Sequence, residues 1–305
     1  MGRNVWVLAF GSGLVFPLLG GCDVRADDTS PRAARTQLEE LELSRDDDDR
    51  DDEYDEDGGR PPRFSFFVTS LRAMRELSRS ANGFGGDLRF GERGEGAGLR
   101  GADKICATIA EDSMPGAGSK VWRAFLSATE GGRNGGPVHA KDRIGNGPWY
   151  DRVGRIVALS KRDLLEFRPA GADSRIEDDL PNEDGIPNHD PDGTGAVDNH
   201  NTLTGTDDEG ALYSDDPRST CNDWTNGRSD VKGSPRVGHS WLRTGSEGIR
   251  LLSPSYGHWI SYTNLPGCGA GVSLGETSGF TDADNRPIVG ARGGYGGIYC
   301  FALAP

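Results

Sequence analysis

This chain has little of what a large packed core or a membrane bundle is built from. Of its 305 residues, 34% are apolar and 8% aromatic. Outside Val5 to Leu19 no run is apolar enough to cross a bilayer as a helix, which excludes a bundle of membrane-spanning helices. Positive charge is also short: the formal net charge is −14, the wrong sign for a chain that holds nucleic acid by its phosphates. Histidine occurs only at 139, 189, 200, 239 and 258, with no HxxxH or HExxH spacing and no nucleophile motif alongside. That removes the helical zinc-hydrolase signature. Gly238-His239-Ser240 is too common a string to carry meaning. The glycine run Gly290 to Gly297 lacks the lysine and the strand–loop–helix setting of a phosphate loop.

Cysteine is scarce too, but its placement is informative. Cys106, Cys221, Cys268 and Cys300 lie in the last two-thirds of the chain, and Cys22 stands apart. An even set of four behind an export signal reads as a disulfide framework in an oxidising compartment. Spacing alone leaves all three pairings open.

Residues 1–22, MGRNVWVLAFGSGLVFPLLGGC, join a basic start at Arg3 to an apolar core and small residues before Cys22. The pattern is that of a bacterial lipoprotein signal peptide, with Cys22 as the lipidated mature N-terminus. An ordinary cleaved signal and an unprocessed anchor are the alternatives. Residues 23–63 hold 16 acidic residues against 7 basic ones, including the run Asp46 to Asp57. Such a segment repels itself and has too little apolar surface to offset its ordering entropy, so it reads as a disordered acidic tether.

Residues 64–305 read as one loop-rich domain, with an acidic insertion at about 177–200. Phe64 to Ser70, Val121 to Ser127 and Gly154 to Ser160 read as strands, and Ser78 to Gly98 as a loop. Leu99 to Asp112 places Ile105, Cys106, Ile109 and Ala110 on one face at helical spacing, and Pro115-Gly116 stops it. Asp163 to Phe167 reads as a helical turn, and a last strand carries Cys300.

Eight segments follow one another in a recognisable order. They are Gly98 to Cys106, Trp122 to Ser127, Asp142-Arg-Ile144, Asp163-Leu-Leu165, Thr204 to Gly210, Thr220-Cys-Asn-Asp-Trp224, Gly267-Cys268 and Tyr299-Cys-Phe301. This order resembles the endostatin domain of collagen XVIII, and more closely the endostatin-like domains of bacterial surface lipoproteins. The resemblance implies an α+β, C-type-lectin-like fold. It also implies two nested disulfides, Cys106–Cys300 and Cys221–Cys268. The chain departs from the family's relatives in instructive ways. The Glu-Pro-Asn, Gln-Pro-Asp and Trp-Asn-Asp loops of sugar-binding C-type lectins are missing. No histidine precedes His139, so endostatin's zinc site is not carried over. Residues 64–305 have a net charge near −6, so heparin affinity is not carried over either. Trp224 reads as a core residue.

The most site-like stretch is Glu177 to Asp198. Asp184, Asn188, Asp190 and Asp192 offer hard oxygen ligands before Gly193, a pattern that suits calcium. The twelfth position counted from Asn188 is Asn199, not the glutamate of an EF-hand. A solvated acidic loop without an ion is the competing reading.

The expectation is therefore a non-enzymatic protein of the bacterial cell envelope, outside the cytoplasm, anchored to the membrane by lipid on Cys22. Its ligand is a protein or glycan at the cell surface, with calcium as the one candidate cofactor. An enzyme acting on envelope polysaccharide and a structural envelope protein without a soluble ligand are the alternatives.

Overall fold

Eight short strands and four right-handed α-helices run along the described residues. The strands are β1 (Phe66–Val68), β2 (Trp122–Ala124), β3 (Trp149–Tyr150), β4 (Ile156–Ala158), β5 (Asn201–Leu203), β6 (Arg236–His239), β7 (Thr263–Asn264) and β8 (Gly294–Ala302). The helices are α1 (Leu71–Ser78), α2 (Ala97–Ser113), α3 (Ala140–Arg143) and α4 (Lys161–Leu164). The structure is a computed structural model that describes residues 63–132, 135–190, 199–241, 258–275, 281 and 286–305. All of them fall within one compact unit, Arg60–Pro305.

The main sheet runs β1-β8-β5-β6-β7, with β2 also paired to β8. β8 is its spine, and all nine of its residues are buried. It pairs antiparallel with β1 (Phe67 opposite Cys300) and β2 (Ala124 opposite Cys300), and parallel with β5. Because side chains alternate along a strand, β8 feeds two cores. Ile298 and Cys300 join Phe67, Ile105, Trp122, Leu203 and Trp224 on the α2 side. Tyr299 and Phe301 join Phe66, Phe125, Trp149 and Trp259 on the other side. The β3–β4 hairpin covers that second layer. A modest apolar content is thus concentrated on both faces of one sheet, and the result is a mixed α+β domain.

The helical spacing read at Leu99 to Asp112 corresponds to α2, which buries Ile105, Cys106, Ile109 and Ala110. In its last turn, Glu111 reaches forward to accept from the backbone N–H groups of Gly116 and Gly118 beyond the helix. Those two donors hold its carboxyl below the usual carboxylate range.

Two local expectations need correction. α1 was not anticipated, because only Ala73 and Met74 of its eight residues are buried. Leu71 and Leu77 also pack half-buried against the core, but eight residues are too short a window for that spacing to stand out. The helical turn expected at Asp163 to Phe167 begins instead at Lys161, because Ser160 caps it by accepting from the Asp163 N–H.

Both disulfides are present, Cys106–Cys300 from α2 to β8 and Cys221–Cys268 within the second half. These are the pairs the endostatin resemblance implies. Two disulfides suggest an extracytoplasmic location. Among the described residues no helix is long and apolar enough to cross a membrane.

Candidate functional site

Four consecutive non-glycine residues adopt the left-handed conformation: Cys221, Asn222, Asp223 and Trp224, with φ of 50°, 56°, 52° and 61°. Each costs roughly 1–2 kcal/mol relative to ordinary backbone. A full left-handed turn persists only where its surroundings over-determine it.

They do so here. The Asp223 carboxylate accepts from the N–H of Thr129 (2.7 Å), the N–H of Glu130 (3.1 Å) and the hydroxyls of Thr129 and Thr220 (2.9 Å each). The Trp224 indole N–H donates to the Ser127 carbonyl at 2.7 Å, and the ring is fully buried, the core position expected from the sequence. Cys221 is tied to Cys268. α2 closes the back of the turn at Gly98, where a Cβ would lie 2.7 Å from the Trp224 Cβ. Only glycine permits that approach.

The turn stands between two cavities. One, of about 460 Å3, is lined by Glu95, Thr129, Glu130, Asp215, Asn222 and Thr225, among others. The other, of about 280 Å3, is lined by Pro217, Arg218, Cys221, Asn222, Asn226 and Lys232, with Val231. Asn222 and Pro217 belong to both. The larger cavity offers carboxylates, hydroxyls and an amide. The smaller offers two cations, one of them compensated: Arg218 pairs with Asp216 and holds its carboxyl down at about 2. Such a lining can orient polar or charged ligand groups.

The calcium candidates do not share one direction. The Asp184 carboxylate is ion-paired with Arg72 at 2.7 Å. The Asn188 side chain points inward and donates to the Tyr295 hydroxyl at 2.9 Å. Asp190 is half-buried, and Asp192 lies outside the described residues. Among the described residues no group of three or more His, Cys, Asp or Glu side chains is placed to hold a metal ion. Cys22, the lipidation candidate, also lies outside the described residues.

The stretch around Asp184 is packed rather than solvated. Leu180, Asn182 and Glu183 are buried, and the Pro181 carbonyl accepts from the Val68 N–H of β1. Glu183 accepts from the N–H (2.9 Å) and hydroxyl (2.5 Å) of Ser70, the cap of α1. Burial pushes its carboxyl up despite those donors.

The histidines are the group that sequence reasoning passed over. His200, His239 and His258 come from distant parts of the chain, yet they lie together at one end of β5 and β6. The His200 and His239 rings stack at 4.1 Å, and the His239 N–H donates to the His258 carbonyl. No local spacing announces this, because the sheet makes the neighbourhood. For the left-handed turn the only advance signal is Asn222-Asp223, residue types that tolerate positive φ better than most. No protein-family model matches this sequence, and no curated protein matches it.

Proposed function

We propose that the chain is a lipid-anchored binding protein of the bacterial cell envelope. Its domain, read as C-type-lectin-like, engages an extracellular protein or glycan at the turn Cys221–Thr225. The observation that carries this reading is the left-handed turn. Its cost is met by a disulfide, four hydrogen bonds to Asp223 and the burial of Trp224. The turn sets Asn222 between two cavities of contrasting charge. Holding a recognition loop in one conformation removes the ordering cost that a flexible loop incurs on binding. The nested disulfides are also those of the endostatin-like family, which supports the fold.

The test uses the exported, oxidised domain against envelope polysaccharide fractions and against extracellular matrix and serum proteins. Saturable binding to one of these, lost on Asn222→Ala while the domain stays folded, is the expected result. Shortening of the polysaccharide chains would overturn the non-enzymatic reading. Binding untouched by Asn222→Ala would remove the turn as the site. The anchor has its own test. Cys22→Ser should release the protein from membranes or block its processing. A mature-sized variant still in the membrane fraction would refute lipidation.

A further inference from the structure

Arg236 is a cation without a counterion. It stands on β6, half-buried, with its guanidinium over the Tyr213 ring at 4.4 Å. Its Nε–H donates to the Ser261 hydroxyl at 3.0 Å, and its Nη1 donates to the Asn264 side-chain oxygen at 3.1 Å. Among the described residues its Nη2 has no acceptor, and no carboxylate lies within ion-pair distance of the side chain. Arg143 and Arg155, by contrast, hold Asp103 at 2.7 Å and Asp151 at 2.6 Å. Burial without a counterion is costly, and it pulls the Arg236 guanidinium below its ordinary value. Tyr213 and the more distant Asp208 act in the opposite sense.

Hydrogen bonds join Arg236 to the smaller cavity beside the turn. Asn264 donates to the Ser234 carbonyl, and the Ser234 N–H donates to the Arg218 carbonyl in the cavity wall. Lys232 lines the same cavity; it is exposed and, among the described residues, has no carboxylate partner. The two cations lie on one stretch of chain, where Lys232 bridges Gly267 and Arg236 pairs with Asn264. At the rise of an extended chain, roughly 13 Å separates them. Each has an exposed apolar side chain at hand: Val231, 45% exposed, next to Lys232, and Tyr213, 43% exposed, under Arg236. Two neighbouring acids are already engaged, Asp216 by Arg218 and Asp230 by Arg228.

We propose that this strip docks an extended acidic peptide segment of a protein partner. One carboxylate sits on Lys232 and a second on Arg236, with apolar side chains against Val231 and Tyr213. The proposal rests on the reading of the neighbouring turn as a binding face, and it names the chemistry of the partner. An incoming carboxylate supplies the counterion that Arg236 lacks, through a charge-assisted bond. The complementarity is local: the domain is acidic overall, so a partner's carboxylates are drawn to this strip and repelled elsewhere. The apolar neighbours favour a peptide over an acidic glycan. An extended peptide puts alternate side chains on one face, so apolar and acidic groups can follow the order Val231, Lys232, Arg236, Tyr213. A chain of uronic acids brings carboxylates but no apolar side chain for Val231 and the cavity.

The experiment titrates the exported, oxidised protein with the end-blocked peptide Leu-Ser-Asp-Ser-Ser-Ser-Asp-Ser-Leu and with its counterpart carrying Asn for each Asp. NMR follows the Arg236 Nε–H and the Lys232 amide. Both resonances should shift saturably with the acidic peptide, and the Asn counterpart should bind at least tenfold more weakly. Arg236→Gln and Lys232→Gln should each weaken the acidic peptide several-fold. Arg162→Gln, the same loss of charge on α4, should not. Lys232 is exposed, so its variant decides the matter if Arg236→Gln does not fold. Absence of saturable shifts, equal binding of the two peptides, or an equal loss in Arg162→Gln would overturn the proposal. So would a galacturonate tetramer that binds at these two groups where the acidic peptide does not. A protein ligand lost on Asn222→Ala but kept by both Gln variants would overturn the strip and leave the turn standing.

Discussion

Individual side chains here are tuned by opposite means, and the two kinds respond to acid over different ranges. Asp173, beside Arg175, and Asp216, beside Arg218, are held down at about 2, so they stay charged through any ordinary acid exposure. His258 is governed by burial, which lowers it to about 4, with Arg168 and Arg236 acting in the same sense. The unfolded chain protonates the same ring near 6.5. Between these values the unfolded state binds the extra proton, so stability rises with pH. The contribution is complete above about pH 6.5 and is lost progressively as pH falls to about 4. From the size of the shift it amounts to roughly 3 kcal/mol at most. Urea unfolding of wild type and His258→Gln from pH 7.5 to 4 should show it: the wild type loses stability more steeply across that window. Parallel curves would mean that His258 does not govern acid stability.

At the scale of elements, the left-handed turn and its disulfide form one unit. Cys221–Cys268 closes a loop with a separation of 47 residues, and Cys106–Cys300 one of 194. The loop-entropy model assigns about 4 kcal/mol to the first and about 5 kcal/mol to the second, both upper estimates. Cys221→Ser with Cys268→Ser should lose up to about 4 kcal/mol in urea unfolding and relax residues 221–224 toward ordinary backbone. The relaxation can be read as chemical-shift changes at Thr129 and Glu130, whose N–H groups Asp223 accepts. Unchanged shifts there would mean that Asp223 and Trp224 hold the turn without the disulfide. Elements of this kind differ in how far the sequence foretells them. α2 was legible because Ile105, Cys106, Ile109 and Ala110 repeat at helical spacing over a long segment. β8 was legible as an apolar run around Cys300, but its role as the spine of the sheet was not, since that depends on pairing with residues some 230 positions away. The left-handed turn has no propensity signal beyond Asn222-Asp223, because its conformation is imposed by partners at Ser127, Thr129 and Gly98. Of the site residues, the cysteines and the core Trp224 were legible. Asn222 and the histidine cluster become neighbours of their partners through folding alone.

For the molecule as a whole, charge is the outstanding property. The net −14 falls mostly in residues 23–63, and the domain keeps a smaller excess. Within the domain the structure has already engaged part of this stretch: Arg72 pairs with Asp184, and the Asn188 amide is turned inward to Tyr295. The calcium expectation therefore rests on Asp190 and Asp192. Two carboxylates supply only part of the six to eight oxygens that Ca2+ takes, and backbone carbonyls and water must supply the rest. An ion bound only to the folded domain stabilises it by mass action, by about 2.7 kcal/mol at 100 times its dissociation constant. Millimolar Ca2+ should accordingly raise the melting temperature, and Mg2+ at equal ionic strength should not, because Mg2+ gives up its water reluctantly. Asp190→Ala with Asp192→Ala should abolish the rise. Asp184→Ala should leave it intact, since that change removes a partner of Arg72 rather than a ligand. Equal responses to the two cations would reduce the effect to charge screening. Loss of the response in Asp184→Ala would show that the ion takes Asp184 away from Arg72.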